Sequence, residues 1–146
     1  MHNILQISKI HNFLLFIFLS LSFIRCDDNP NPFPYVNVNI TLSIDTQLGN
    51  MNVGEHKFID NAGYGGLIIY RKSEYEYQAF DRACPHDYKD NCILNDDEDF
   101  NEILICPCCK SKFLLSQSGS VFNGPAIKPL QEYNTYLQGN FLRISN

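Results

Sequence analysis

The sequence predicts an all-β domain, a small barrel or sandwich. Three observations lead there. Val36, Val38, Ile40 and Leu42 alternate with Asn37, Asn39, Thr41 and Ser43, the two-residue period of a strand with one buried and one wet face. Short apolar runs then recur along the chain between glycines that mark turns. No segment holds a helical apolar period for three turns.

The elements follow in order. After the first strand, Ile44 to Leu48 has room for one short helix, and Gly49, Gly54, Gly63, Gly65 and Gly66 exclude a long one. Leu67 to Tyr70 is a short apolar strand. Tyr75, Tyr77 and Ala79 alternate before Phe80, giving a second strand joined to it by the polar turn Arg71 to Glu74. Further strands are expected at Glu102 to Ile105, Lys112 to Leu115, Ser120 to Phe122 and Phe141 to Ile144, with Gly119, Gly124 and Gly139 at the turns. There is no internal repeat.

A chain of 146 residues is one ordinary domain. At 45% hydrophobic and 18% charged it can build a core, and disorder throughout is excluded. With 11 basic against 16 acidic residues and a net charge of −5, it lacks the electropositivity of a nucleic-acid binder.

The start of the chain reads as an export signal. Lys9 and His11 precede an apolar run from Phe13 to Ile24, too short to span a membrane and of the right length for a signal-peptide core. Cys26 closes that run and resembles a bacterial lipoprotein processing site, which implies a signal peptide over 1–25 and lipid on Cys26. The expected place is extracytoplasmic, in the cell envelope, lipid-anchored to a bacterial membrane. Loss of Lys9 and Arg25 with no acidic residue takes the net charge from −5 to −7. Residues 26–34 carry Pro30, Pro32 and Pro34 and read as a short tether, with the folded domain over 35–146.

Chemistry is concentrated between Cys84 and Phe113. Cys84-Pro85-His86 places a thiol and an imidazole two positions apart, and Cys106-Pro107-Cys108-Cys109 places three thiols within four residues. Two short ligand groups on separate loops suit a metal. Thiolate and imidazole select zinc or iron-sulfur over calcium or magnesium. The spacing does not choose between iron and zinc, and paired disulfides without metal remain the alternative.

These residues, with Ser111, Phe113, Gly119-Ser120-Val121 and Gly124-Pro125-Ala126-Ile127-Lys128-Pro129-Leu130, resemble the two cluster loops and the proline loop of Rieske [2Fe-2S] domains. The likeness extends back to Gly66–Tyr70 and Tyr77–Ala83 and forward to Gly139–Ile144, about two thirds of the chain. It is nearest to small Rieske-like lipoproteins of the Bacteroidetes type. The resemblance implies an antiparallel β-sandwich or barrel with cluster-binding loops at 84–92 and 106–113. It also implies a [2Fe-2S] cluster whose ligands fall on Cys84, His86, Cys106 and Cys109, with Cys84 and Cys106 on the inner iron and His86 and Cys109 on the exposed one.

Cys109 stands where the family carries its second histidine, so a thiolate replaces a neutral imidazole and lowers the expected potential. Lys110 stands where a glycine is common, and Asp87-Tyr88-Lys89 departs from the family's short glycine-containing turn. The resemblance further implies a disulfide between the loops, from Cys92 to Cys108.

Ser111 matches a family position and is expected to donate a hydrogen bond to sulfur, a weaker expectation for Tyr88. His56 reads as a solvated strand residue, Asn95 to Asp99 as an exposed acidic turn, and Arg82 as an exposed strand arginine. Gly124-Pro125 and Pro129 shape a loop over the site. No hydrolytic motif is present. The expected function is electron transfer with a redox partner protein, anchored to a membrane through Cys26. The alternative is a metal-free, disulfide-stabilised binding or structural domain at the cell envelope.

Overall fold

The computed structural model describes residues 33–146. The signal peptide, Cys26 and nearly all of the tether lie outside the described residues. Among the described residues no helix is long and apolar enough to cross a membrane.

Among the described residues, ten strands form two antiparallel sheets. The larger holds β1 (Asn39–Ser43), β2 (His56–Ile59), β3 (Leu67–Arg71), β4 (Tyr77–Asp81), β9 (Glu132–Gln138) and β10 (Phe141–Ser145), in the order β1-β10-β9-β4-β3-β2. The smaller holds β5 (Asn95–Asp96), β6 (Ile103–Ile105), β7 (Lys112–Leu114) and β8 (Ser120–Asn123) in sequence order. The expected all-β class is observed.

Local chemistry accounts for the punctuation. Ile44–Leu48 is a single π-helical turn, opened by Ser43 Oγ accepting from Thr46 N–H and closed by Gly49 at φ 73°. The β3–β4 turn starts one residue later than the polar composition suggests. Arg71 continues β3 and donates to Met51 O, while Lys72 N–H and Ser73 N–H both donate to Glu76 O at 2.9 and 3.1 Å.

β9 was not among the expected strands. Tyr133 is buried and Thr135 and Leu137 half-buried on its inner face, but Thr135 breaks the apolar period there and Tyr136 lies on the exposed face, which hides the alternation in the sequence. It forms because both neighbours offer open edges. It pairs with β10 along Phe141↔Gln138 to Ser145↔Asn134, and with β4 at Ala79↔Tyr133 and Phe80↔Glu132.

The β3–β4 pair is covered on both faces. Leu67, Ile69, Tyr77 and Ala79 join Val38, Leu42, Leu48, Leu142 and Ile144 in one core, inside the curl of the larger sheet. Ile68, Tyr70 and Phe80 face the other way and pack with Leu104 and Phe113 of the smaller sheet and with Leu94 and Leu115 just outside its strands. Cys84, Cys92 and Cys106 belong to this second core, so the metal motif stands on the packing between the two sheets.

Candidate metal centre

β4 ends at Asp81, and the chain there is fixed by one carboxylate. Asp81 is fully buried. It accepts from Tyr64 N–H at 2.6 Å, Gly65 N–H at 3.0 Å, Ala83 N–H at 2.8 Å and the Tyr133 hydroxyl at 2.8 Å. Four donors satisfy a buried carboxylate that would otherwise be costly. A side chain at Gly65 would come within 2.7 Å of Ala83 N, so this approach requires glycine. The sequence reading did not single out Asp81. An acid closing an apolar strand was the available signal.

The first loop is closed by short antiparallel contacts, with Cys84 N–H donating to Cys92 O and Leu94 N–H to Arg82 O, both at 2.8 Å. Arg82 is half-buried rather than an exposed strand arginine. Its guanidinium lies 3.9 Å from the Phe58 ring centroid and Nε donates to Leu94 O. The second loop joins β6 to β7, closed by Cys106 N–H to Ser111 O at 2.8 Å and Lys110 N–H to Cys106 O at 3.0 Å. Lys110 has φ 62°, the left-handed conformation that favours glycine. A disulfide joins Cys92 to Cys108 and ties the two loops together.

Cys84, Cys106 and Cys109 are free thiols. Their sulfurs and a carboxylate oxygen of Asp87 lie within 4.8 Å of one another. Cys84 Sγ is 3.7 Å from Cys109 Sγ, and Cys106 Sγ is 3.9 Å from Asp87 Oδ2. Three of the four residues given by the resemblance are thus brought together, and His86 is not. The turn after buried Pro85 sends His86 outward, its side chain 42% exposed against 20% for Asp87, with Nε2 3.8 Å from Asp87 Oδ1. Asp87 entered the sequence reading only as a departure from the family's turn. Its position beside a Cys-x-His motif was the signal that marked it.

The sulfurs sit among donors. Burial pushes the Cys84 thiol up, and neighbouring Cys106 adds to this, while the backbone N–H groups of His86 and Asp87 act in the opposite sense. Burial likewise raises the Cys109 thiol, opposed chiefly by Ser111. Ser111 is fully buried, its hydroxyl 3.1 Å from Cys109 Sγ, and its oxygen accepts from Ala126 N–H at 3.0 Å. The proline loop therefore reaches Cys109 through one hydroxyl. Gly124, at φ 106°, lets that loop close. A Cβ there would lie 2.5 Å from Ser111 Cα. Tyr88 instead packs edge-on against Phe33 and Tyr64.

The acidic segment is not simply a solvated turn. Asn95 and Asp96 pair with Ile105 and Leu104 as β5. Asp97 is buried and meets Lys112 Nζ at 2.6 Å. His56 is on β2, but its side chain is only 10% exposed rather than solvated, and its Nε2 contacts Asp96 Oδ1 at 2.7 Å.

The family model described as Rieske [2Fe-2S] domain matches residues 41–134. Among solved structures, the cyanobacterial plasma membrane Rieske protein PetC3 from Synechocystis PCC 6803 is similar at 24% identity and TM-score 0.53, covering 77% of this chain and 100% of that one. A chain from the complex of reduced oxygenase and oxidized ferredoxin in carbazole 1,9a-dioxygenase is similar at 17% identity and TM-score 0.52, covering 73% and 100%. No curated protein matches the sequence.

Proposed function

The chain belongs to the Rieske [2Fe-2S] domain family, and from that premise we propose that it is an electron-transfer protein holding a [2Fe-2S] cluster between its two disulfide-tied loops. The observation that carries this is the convergence of three free thiols, from both loops, within 4.8 Å of one another and of Asp87. The donor chemistry fits the group. Thiolate is the ligand that iron-sulfur clusters use most, and the Ser111 hydroxyl lies 3.1 Å from Cys109 Sγ.

Cys84, Cys106 and Cys109 hold the cluster, with the fourth ligand from the first loop, where His86 and Asp87 are adjacent. When bound, the cluster supplies a one-electron redox centre. The chain's own residues orient the ligands and shield them. The second core buries Cys84 and Cys106, and Ser111 holds Cys109 against the proline loop. With three thiolates among the ligands, the potential falls below that of a two-histidine Rieske centre.

The partner is a redox protein, as the Rieske family implies. The oxygenase–ferredoxin complex among the similar structures supports a protein partner. The anchor is lipid on Cys26 at an extracytoplasmic membrane face, a reading supported by the apolar run before that cysteine.

The test is metal content of the full chain, purified without oxygen after co-expression with cluster-assembly machinery. Two irons and two sulfides per chain, with a visible spectrum bleached by dithionite, are expected. Folded protein without iron would refute the proposal.

A further inference from the structure

Resting on the lipid-anchor reading of Cys26 above, we infer that the end of the domain bearing the metal loops is the end held at the membrane, so that the surface around the first loop faces lipid headgroups.

The strand register places the entry of the chain at that end. Asn39, the first residue of β1, lies opposite Ser145, Ser145 opposite Asn134, and Glu132 at the start of β9 opposite Phe80. Antiparallel pairing through β10 and β9 thus sets the start of β1 level with the end of β4, from which the first loop departs. The β3–β4 and β9–β10 turns mark the opposite end, where Tyr75 stands with Gly139 and Asn140.

The segment before β1 is fastened at the metal end. Asn146 Oδ1 accepts from Val38 N–H at 3.1 Å, and Asn146 Nδ2 donates to Val36 O at 2.7 Å. Phe33 is only 6% exposed, stacked on Tyr64 with ring centroids 5.3 Å apart and edge-on to Tyr88 at 5.4 Å. Both rings belong to the scaffold of the metal loops. Tyr64 N–H donates to the Asp81 carboxylate that fixes the end of β4, and Tyr88 follows His86 by two positions.

Seven positions separate Phe33 from Cys26. At no more than ~3.6 Å per residue this leash reaches about 25 Å, whatever path it takes. The metal end is confined within that distance of the lipid. β9, seven residues long, spans about 20 Å, so the far end is not confined in the same way. The metal end also leaves Tyr35 73% exposed on the entering segment and Ile127 92% exposed on the proline loop, an aromatic and an aliphatic side chain suited to the headgroup region. The first loop is then reached from the side, along the bilayer, by a partner bound to the same membrane.

The chain has no tryptophan, which allows single reporters. Phe122, next to Asn123 that pairs with Lys112 at the close of the second loop, and Tyr75 at the far end are both exposed aromatics. The full chain carrying Phe122→Trp or Tyr75→Trp is bound to phosphatidylcholine vesicles with dansyl-labelled headgroups, and energy transfer from tryptophan to dansyl is measured. With about 20 Å of strand between the two ends, transfer from Phe122→Trp is expected to be at least about twofold more efficient than from Tyr75→Trp. Adding Phe33→Ala lengthens the leash and is expected to lower that ratio. Equal transfer, or greater transfer from Tyr75→Trp, in the vesicle-bound chain overturns the inference and leaves the lipid anchor standing, and a ratio unmoved by Phe33→Ala overturns the role of Phe33. A chain whose mass shows no acyl group and that stays free of vesicles overturns the anchor, and this inference with it.

Discussion

Tyr133 and Asp81 meet across 52 positions of sequence to lock the strand end from which the first loop departs. Burial, and then the Asp81 carboxylate, push the Tyr133 hydroxyl well above the ordinary tyrosine value. The sign follows from linkage. The contribution is complete below the unfolded tyrosine value near ~10, and declines as pH rises beyond it, because the unfolded chain ionises first. Tyr133→Phe removes one of four donors to a buried carboxylate and should cost about 1–3 kcal/mol at neutral pH. Its urea midpoint should also fall less steeply than the parent's between pH 10 and 11. Parallel curves across that interval would refute the linkage.

Single residues were legible in the sequence where a motif named them. The thiols of Cys84, Cys106 and Cys109, which motifs mark, converge, while Asp87 and Asp81 have no motif and take their places from backbone turns. Lys110 lies between these cases. The resemblance marks a glycine position and the backbone is left-handed there, yet the residue is lysine, at a cost of roughly 1 kcal/mol.

The two metal-bearing loops come from different sheets. The first follows β4 of the larger sheet and the second joins β6 to β7 of the smaller, and Cys92–Cys108 links them across 16 positions. Opening that bond by a Cys92→Ser, Cys108→Ser double substitution should lower stability by about 3 kcal/mol, the scale for a closed loop of this length. Urea unfolding of the metal-free chain measures it, and an unchanged midpoint would mean that the loops are held by packing alone. Strands with a two-residue apolar period, such as β1 and β10, could be read directly. β9 could not, because Thr135 on its inner face and Tyr136 on its outer face blur the apolar period, and pairing on both of its edges completes the strand.

The β3–β4 pair joins the two halves of the molecule. Ile68 and Ile69 are adjacent and both fully buried, yet they belong to different cores. Ile68→Ala and Ile69→Ala should each cost about 2–5 kcal/mol. Each variant should unfold in a single transition seen alike by near- and far-ultraviolet circular dichroism, because a strand shared by two cores couples them. Separate transitions in either variant would show two independently stable halves. This sharing is legible at one place in the chain. Leu67–Tyr70 is apolar at every position, which a strand with one wet face would not be.

The pairing of Cys92 with Cys108 leaves three cysteines in the described loops, a number that cannot be divided into pairs within one chain. Cys84 and Cys109, 3.7 Å apart, are placed to form a second bond, and that bond would strand Cys106 and take two thiols from any metal. Maturation is consequently a race. Loading must precede oxidation of the inner thiols, while the outer bond is free to form at any time. Two preparations with identical sequence and different histories of exposure to air would then be different molecules, one open to metal and one closed until a reductant reopens it.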